Sequence, residues 1–108
     1  MVKKDYILLF KGGMPKKKDR EVNMKRWSVW LNKLIKQNIF VRGEPFEMKG
    51  KVIMGYEKQM QDYYLTHGSI AGYAIINTTS LTAATKIAKE CPIFRDNGEV
   101  IVLGMQQM

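Results

Sequence analysis

Asp62, Tyr63, Tyr64 and His67 form the one stretch of this chain whose side chains suit proton transfer. A His oriented by a carboxylate can act as a general base near neutral pH. Tyr hydroxyls can position a substrate or donate to a developing oxyanion. Asp62 and His67 lie five positions apart, which does not bring them to one helix face, so only a turn can join them. The plainer reading of the same residues is a loop with a surface His and Tyr rings on its rim. The expected catalytic pair is therefore Asp62 and His67, with Tyr63, Tyr64 and Trp30 as expected ligand contacts. Whether a reaction occurs at all stays open.

Three other groups of residues invite chemistry. Trp27 and Trp30 sit three apart on an apolar stripe, where aromatic side chains either fill a core or wall a pocket. Core is the expectation for Trp27, and Trp30 is the more open of the two. Cys91 stands just past a helix and before Pro92; a thiol at a helix C-terminus lacks the positive dipole that lowers its pKa, so it reads as a packed residue. Lys16-Lys17-Lys18 and Arg20 precede a helix and follow Gly12-Gly13, but the spacing is not that of a P-loop. A solvated loop is the expectation there. With one cysteine and one histidine, no zinc cluster or intramolecular disulfide can form, and no metal or cofactor is expected.

The elements that must position these groups follow from pattern. Tyr6–Phe10 is a short apolar run and reads as a strand. Met24 to Asn38 has Met24, Trp27, Trp30, Leu31, Leu34 and Ile35 at helical spacing, with Asp19 or Asn23 as its N-cap and only Asn38 to mark its end. Between Ile39 and Tyr64 the glycines and Pro45 punctuate short β-prone pieces, of which Lys51–Met54 and Glu57–Gln61 pair as a hairpin around Gly55-Tyr56. A turn over Thr66–Ser69 leads to a strand over Gly72–Asn77. Ser80 caps a helix running to about Glu90, closed by Pro92. A turn at Asp96-Asn97-Gly98 precedes a last strand over Glu99–Met105. The resulting fold class is α+β: a ferredoxin-like split β-α-β sandwich with an extra β-hairpin and an antiparallel sheet, in a single domain over residues 1–108.

Charge is uneven along the 108 residues, whose formal net charge is +8. Residues 1–42 carry 12 Lys and Arg against 3 Asp and Glu, and residues 43–108 carry 6 against 7. A basic half suits a solvated surface, or contact with nucleic acid or an acidic partner; nucleic acid is the less favoured reading, because no aromatic-stacking strand signature accompanies the charge. No stretch approaches membrane-spanning length and no secretory leader is evident, so a cytoplasmic, membrane-free protein is expected.

Both alternating faces of Tyr6–Phe10, Tyr73–Ile76 and Val100–Leu103 are apolar. A two-layer sandwich has one wet sheet face, which is ordinarily polar. Two helices cannot cover both faces, so the second face is expected to meet the same face of another copy in a homodimer.

Several segments carry a family resemblance. Met24-Lys-Arg-Trp27-Ser-Val-Trp30 with Leu34, Gly43-Glu-Pro-Phe46, Gly50-Lys51 and Gly72-Tyr-Ala-Ile-Ile76 occur in order. They are followed by Ser80-Leu81 with Ala84, Ala88-Lys89-Glu-Cys-Pro-Ile-Phe94 and Glu99-Val100. Together they resemble YCII-related (DGPF-domain) proteins over nearly the whole chain. The resemblance implies a dimeric α+β barrel in a family that mostly lacks an assigned function. The expected function is binding of a small molecule in a pocket of that barrel, with or without lyase- or isomerase-like acid/base chemistry. The family's Asp-Gly-Pro-Phe motif falls on Asp62-Tyr63-Tyr64-Leu65, where only Asp62 is kept. The N-terminal His that some members pair with an Asp has no match here. The alternative function is a non-catalytic regulatory or interaction module that binds nucleic acid or an acidic partner through the basic half.

Overall fold

β1 (Lys4–Lys11) shows why its sequence makes a strand. Tyr6, Leu8 and Phe10 point one way and are buried, while Ile7 and Leu9 point the other way and are half-buried. The computed structural model of the protein describes residues 2–66 and 68–106. β1 pairs antiparallel with β5 (Ile70–Thr78) on one side and with β6 (Glu99–Gly104) on the other. β2 (Phe40–Pro45) adds to the far side of β5, giving a four-stranded antiparallel sheet in the order β2-β5-β1-β6. The strands β1 and β2, and likewise β5 and β6, are each joined through a helix. This is an α+β fold compatible with a ferredoxin-like sandwich.

Both helices lie on one sheet face. α1 (Arg20–Lys36) sends Trp30 and Leu34 into the core, flanked by the half-buried Trp27 and Leu31. α2 (Leu81–Lys89) contributes Ala84 and Ala88, small enough to let it lie close to the sheet. Leu8, Leu34 and Ile76 are essentially free of solvent; burial of each such side chain favours folding by about 1.5–3 kcal/mol. Ser80 caps α2 as its sequence predicts, its hydroxyl accepting a bond from the Ala83 N–H at 3.0 Å. Pro92 opens a 3-10 turn over Pro92–Asp96 that ends at Asn97, left-handed at φ 59°.

α1 departs from expectation at its start. It begins at Arg20, four residues before Met24, and the Asp19 side chain at the N-cap position makes no capping bond. Met24 and Ile35, read as part of the apolar stripe, are more than half exposed. The core-facing stripe is the narrower set Trp27, Trp30, Leu31 and Leu34. The end of α1 falls where Asn38 implies, with that residue left-handed at φ 57°.

A hairpin forms where expected, as β3 (Lys49–Met54) and β4 (Gln59–Tyr64), but Glu57 and Lys58, expected in its second strand, belong to a longer turn in which the Lys58 N–H donates to the Gly55 carbonyl at 3.1 Å. It is a separate two-stranded sheet. It prolongs the β2–β5 ribbon outward as an arm, and every residue of β4 is exposed. The molecule is accordingly flat, 45 × 44 × 19 Å. Its radius of gyration is 15.5 Å, against about 13 Å for a compact chain of this length.

The sheet face away from the helices presents Ile7, Leu9, Tyr73, Ile75, Ile101 and Leu103, placed together by the β1–β5 and β1–β6 registers. Arg42 and Glu44 edge it on β2, and at one end Asn77 Nδ2 donates to Asp5 Oδ1 at 2.9 Å. The two-sided apolar strands read from sequence thus leave an apolar centre with a polar rim, uncovered within one chain. Among the described residues, no helix is long and apolar enough to cross a membrane.

Candidate functional site

A cavity of about 300 Å³ opens between the first half of α1 and the adjoining ends of β1, β2 and β5. Its floor exists because of small residues: Gly43 on β2 faces Ala74 on β5, and Gly72 lies opposite Pro45. At Gly43 a Cβ would stand 2.6 Å from the Tyr73 carbonyl oxygen, so a side chain there would force the two strands apart. Its aromatic wall is Phe10, Trp27 and Phe40. Phe10 meets Trp27 edge-to-face at 5.0 Å between ring centroids, and Trp27 meets Trp30 the same way at 5.7 Å. Such edge-to-face pairs fix ring orientation as well as burying area.

The roof is the loop after β1. Gly13 is left-handed at φ 70°, and a Cβ on it would collide with Ile93 Cγ1 at 2.4 Å. Gly98 brings its backbone against the same two residues. Any side chain at Gly13 therefore has both an unfavourable backbone and no room.

One polar side chain from the helix reaches this cavity. Asn23, half-buried on α1, lines it, and its Oδ1 is buried with no donor inside the protein. A buried acceptor without a partner carries a desolvation cost of about 1–3 kcal/mol, which a bound molecule with a matching donor would relieve once the amide turns towards the cavity. Glu44 and Tyr73 reach the lining from β2 and β5, but their side chains belong to the opposite sheet face, so among the described residues no ionisable side chain points into the cavity. The lining therefore suits recognition of an apolar molecule better than proton transfer.

The residues singled out by sequence do not converge here. Asp62 sits on the arm, paired with Lys51 across the β3–β4 ladder, both partners about half exposed. Tyr63 and Tyr64 follow it in β4, exposed, and point to opposite faces of the arm. His67 lies outside the described residues. The two tryptophans exchange their expected places: Trp30 is buried, with its Nε1 unpaired, and Trp27 walls the cavity. The sequence suggested Asn23 only as a cap, though it lies inside α1, and Gly13 and Gly43 only as loop and turn residues, with no place in a site. A polar residue one turn before Trp27 on the same face of α1 was the available signal for Asn23.

A second, shallower groove of about 650 Å³ runs along the other side of α1, towards the turn after α2. Lys25, Arg26, Lys89 and Arg95 rim it, and Lys33 donates to Glu90 Oε2 at 3.1 Å. Trp30 and Phe94 contribute to its base. Cys91 also lines it but is buried, and burial pushes the thiol up to about 12, against a smaller opposing effect of a hydrogen bond from the Ile93 backbone. At that value the thiolate is absent at neutral pH, which agrees with the packed role read from sequence. Among the described residues, no group of three or more His, Cys, Asp and Glu side chains gathers in a way that would hold a metal.

No protein-family model matches the chain, and no curated protein matches it.

Proposed function

We propose that this protein is a dimeric small-molecule-binding protein of YCII-related type, and that the ligand site is the cavity beside Trp27. The observation that carries the reading is the unpartnered Asn23 Oδ1 on an otherwise apolar, aromatic-walled cavity. That combination fits a compact aromatic or aliphatic molecule with one hydrogen-bond donor. The uncovered sheet face supports the dimer, since its apolar centre and polar rim have the anatomy of a subunit interface. Two such faces packed together would form the dimeric barrel implied by the family resemblance. The resemblance itself rests on the residues around Trp27, Gly72, Ser80 and Cys91.

Binding is preferred over acid/base catalysis because Asp62 is 47% exposed at its side chain and already holds Lys51, away from the cavity. It is preferred over an interaction module of the basic half because the cations of α1 face the opposite groove.

Phenol and toluene separate the donor requirement from simple apolar filling. Phenol is expected to raise the melting temperature more than toluene at equal concentration and to quench Trp27 fluorescence. Asn23→Leu should cut phenol affinity about tenfold, the equivalent of ~1.4 kcal/mol, and leave toluene unchanged. If neither compound stabilises the protein at millimolar concentration, the cavity is not a ligand site.

A further inference from the structure

An arm of two strands in water is marginal on its own; three or more strands, or packing against another element, are ordinarily needed. Among the described residues, β3 and β4 pair with each other and with no other strand. Their apolar side chains nonetheless lie in the open. Ile53 and Met60 are directly opposite one another in the ladder, and each is 64% exposed. Met54, Tyr63 and Tyr64 are exposed as well. Large apolar and aromatic side chains thus stand on a free ribbon beside Lys49, Lys51 and Asp62.

The amount of surface left open gives the size of what is missing. The chain has 8370 Å² of accessible surface, where a compact monomer of its mass has about 6,200 Å². The excess is on the order of 2,000 Å², and a standard interface buries about 800 Å² on each partner. The four-stranded face alone is too small to account for that excess. Four strands about 4.8 Å apart and some six residues long cover only about 20 × 20 Å. The arm, about 20 Å long and open on both faces, holds much of the remainder.

The arm and the sheet face also form one surface. Phe46, at the arm's base, stacks on Tyr73 of the open face with ring centroids 5.9 Å apart and planes 26° from parallel. Tyr73 lies on the face away from the helices, beside Ile75. The apolar centre of the sheet therefore reaches the base of the arm at Phe46, and the Lys51–Asp62 pair separates that base from Ile53 and Met60 on their face of the arm. Whatever covers the sheet face meets the base of the arm too.

We infer that the β3–β4 arm is an intermolecular clasp whose occupant is a second copy of this chain: in the homodimer each arm leaves its own subunit and lies against the other. This rests on the proposed dimer, and it adds that the arms, as well as the sheets, hold the two copies together. Near-balanced charge suits the role. The arm carries Lys49, Lys51, Lys58, Glu57 and Asp62, so two arms related by a two-fold axis repel little. Such isologous contacts need self-complementary surfaces.

Sedimentation equilibrium and concentration-dependent hydrogen exchange test the clasp. The wild-type protein is expected to sediment as a dimer, and Ile53→Ser with Met60→Ser should weaken the dimer at least tenfold. Circular dichroism and the urea midpoint of the monomeric species should be unchanged. In the wild-type protein, amides of residues 49–54 and 59–64 should lose protection on dilution to the monomer, while those of β1 and β5 keep theirs. A wild-type dimer that the double substitution leaves equally tight, with arm protection independent of concentration, overturns the clasp and leaves the sheet-face dimer standing. A wild-type monomer at micromolar concentration overturns both.

Discussion

The β1–β5 ladder and the β3–β4 ladder are both antiparallel ribbons, and they differ in how apolar their strands are and in what stands behind them. Behind β1 and β5 are Trp30, Leu34, Ala84 and Ala88, so Leu8 and Ile76 lose all contact with water. Among the described residues, no helix packs on β3 and β4, and Ile53 and Met60 remain exposed. Backbone pairing alone therefore does not distinguish a structural sheet from an arm. The distinction lies in tertiary burial, because hydrogen bonds in water contribute modestly while apolar area removed from water contributes most.

The largest effect that separates the two regions is expected at Leu34. Leu34→Ala should lower the unfolding free energy by about 2–5 kcal/mol, read from urea denaturation at a fixed protein concentration. A smaller loss, comparable to a surface change, would mean the helix layer is not the foundation of the body. Next comes the pH response of the body at Cys91. Its thiol is held neutral up to about 12 when folded, against an ordinary value of 9.0. The folded state thus keeps a proton that the unfolded state releases, so stability is complete below pH 9 and falls as pH rises above it. Between pH 8 and pH 10 the urea midpoint should drop more in the wild-type protein than in Cys91→Ala. Equal drops would show that the thiol is not closed off from water. The smallest effect belongs to the arm. Lys51→Ala removes a half-exposed ion pair and should change monomer stability by about 0–1 kcal/mol. A change as large as that of Leu34→Ala would erase the distinction between arm and body.

The body was largely legible in the sequence, and the reasons are local. Tyr6–Phe10, Gly72–Asn77 and Glu99–Met105 are compact apolar runs between clear turn residues, and all three are strands of the main sheet. Ser80 and Pro92 bracket α2 with a cap and a stop whose chemistry acts without tertiary help. β2 was hidden because Arg42, Gly43, Glu44 and Pro45 give it neither alternation nor an apolar run. It is a strand because β5 offers a free edge and Gly43 lets the backbones meet. The early start of α1 was equally hidden, since Arg20 to Asn23 contribute little to the core stripe.

The site was less legible. Trp27 and Trp30 both belong to the apolar side of α1, and only the angle at which the helix crosses the sheet decides which one meets the cavity. That angle is a property of the packed layers and has no signature within the helix. Asp62 carried the strongest chemical suggestion in the sequence, yet it stands on the arm, where Lys51 already neutralises it.

The roof of the cavity has a consequence for how a ligand would act on the whole molecule. Ile93 presses on both Gly13, just after the first strand, and Gly98, just before the last. The roof is therefore in place only when segments about eighty residues apart have docked. A partly folded chain lacking that contact has no roofed cavity to offer. A molecule bound beneath Gly13 would accordingly draw its free energy only from the fully assembled body. It would sharpen the cooperativity of unfolding as well as raise its midpoint.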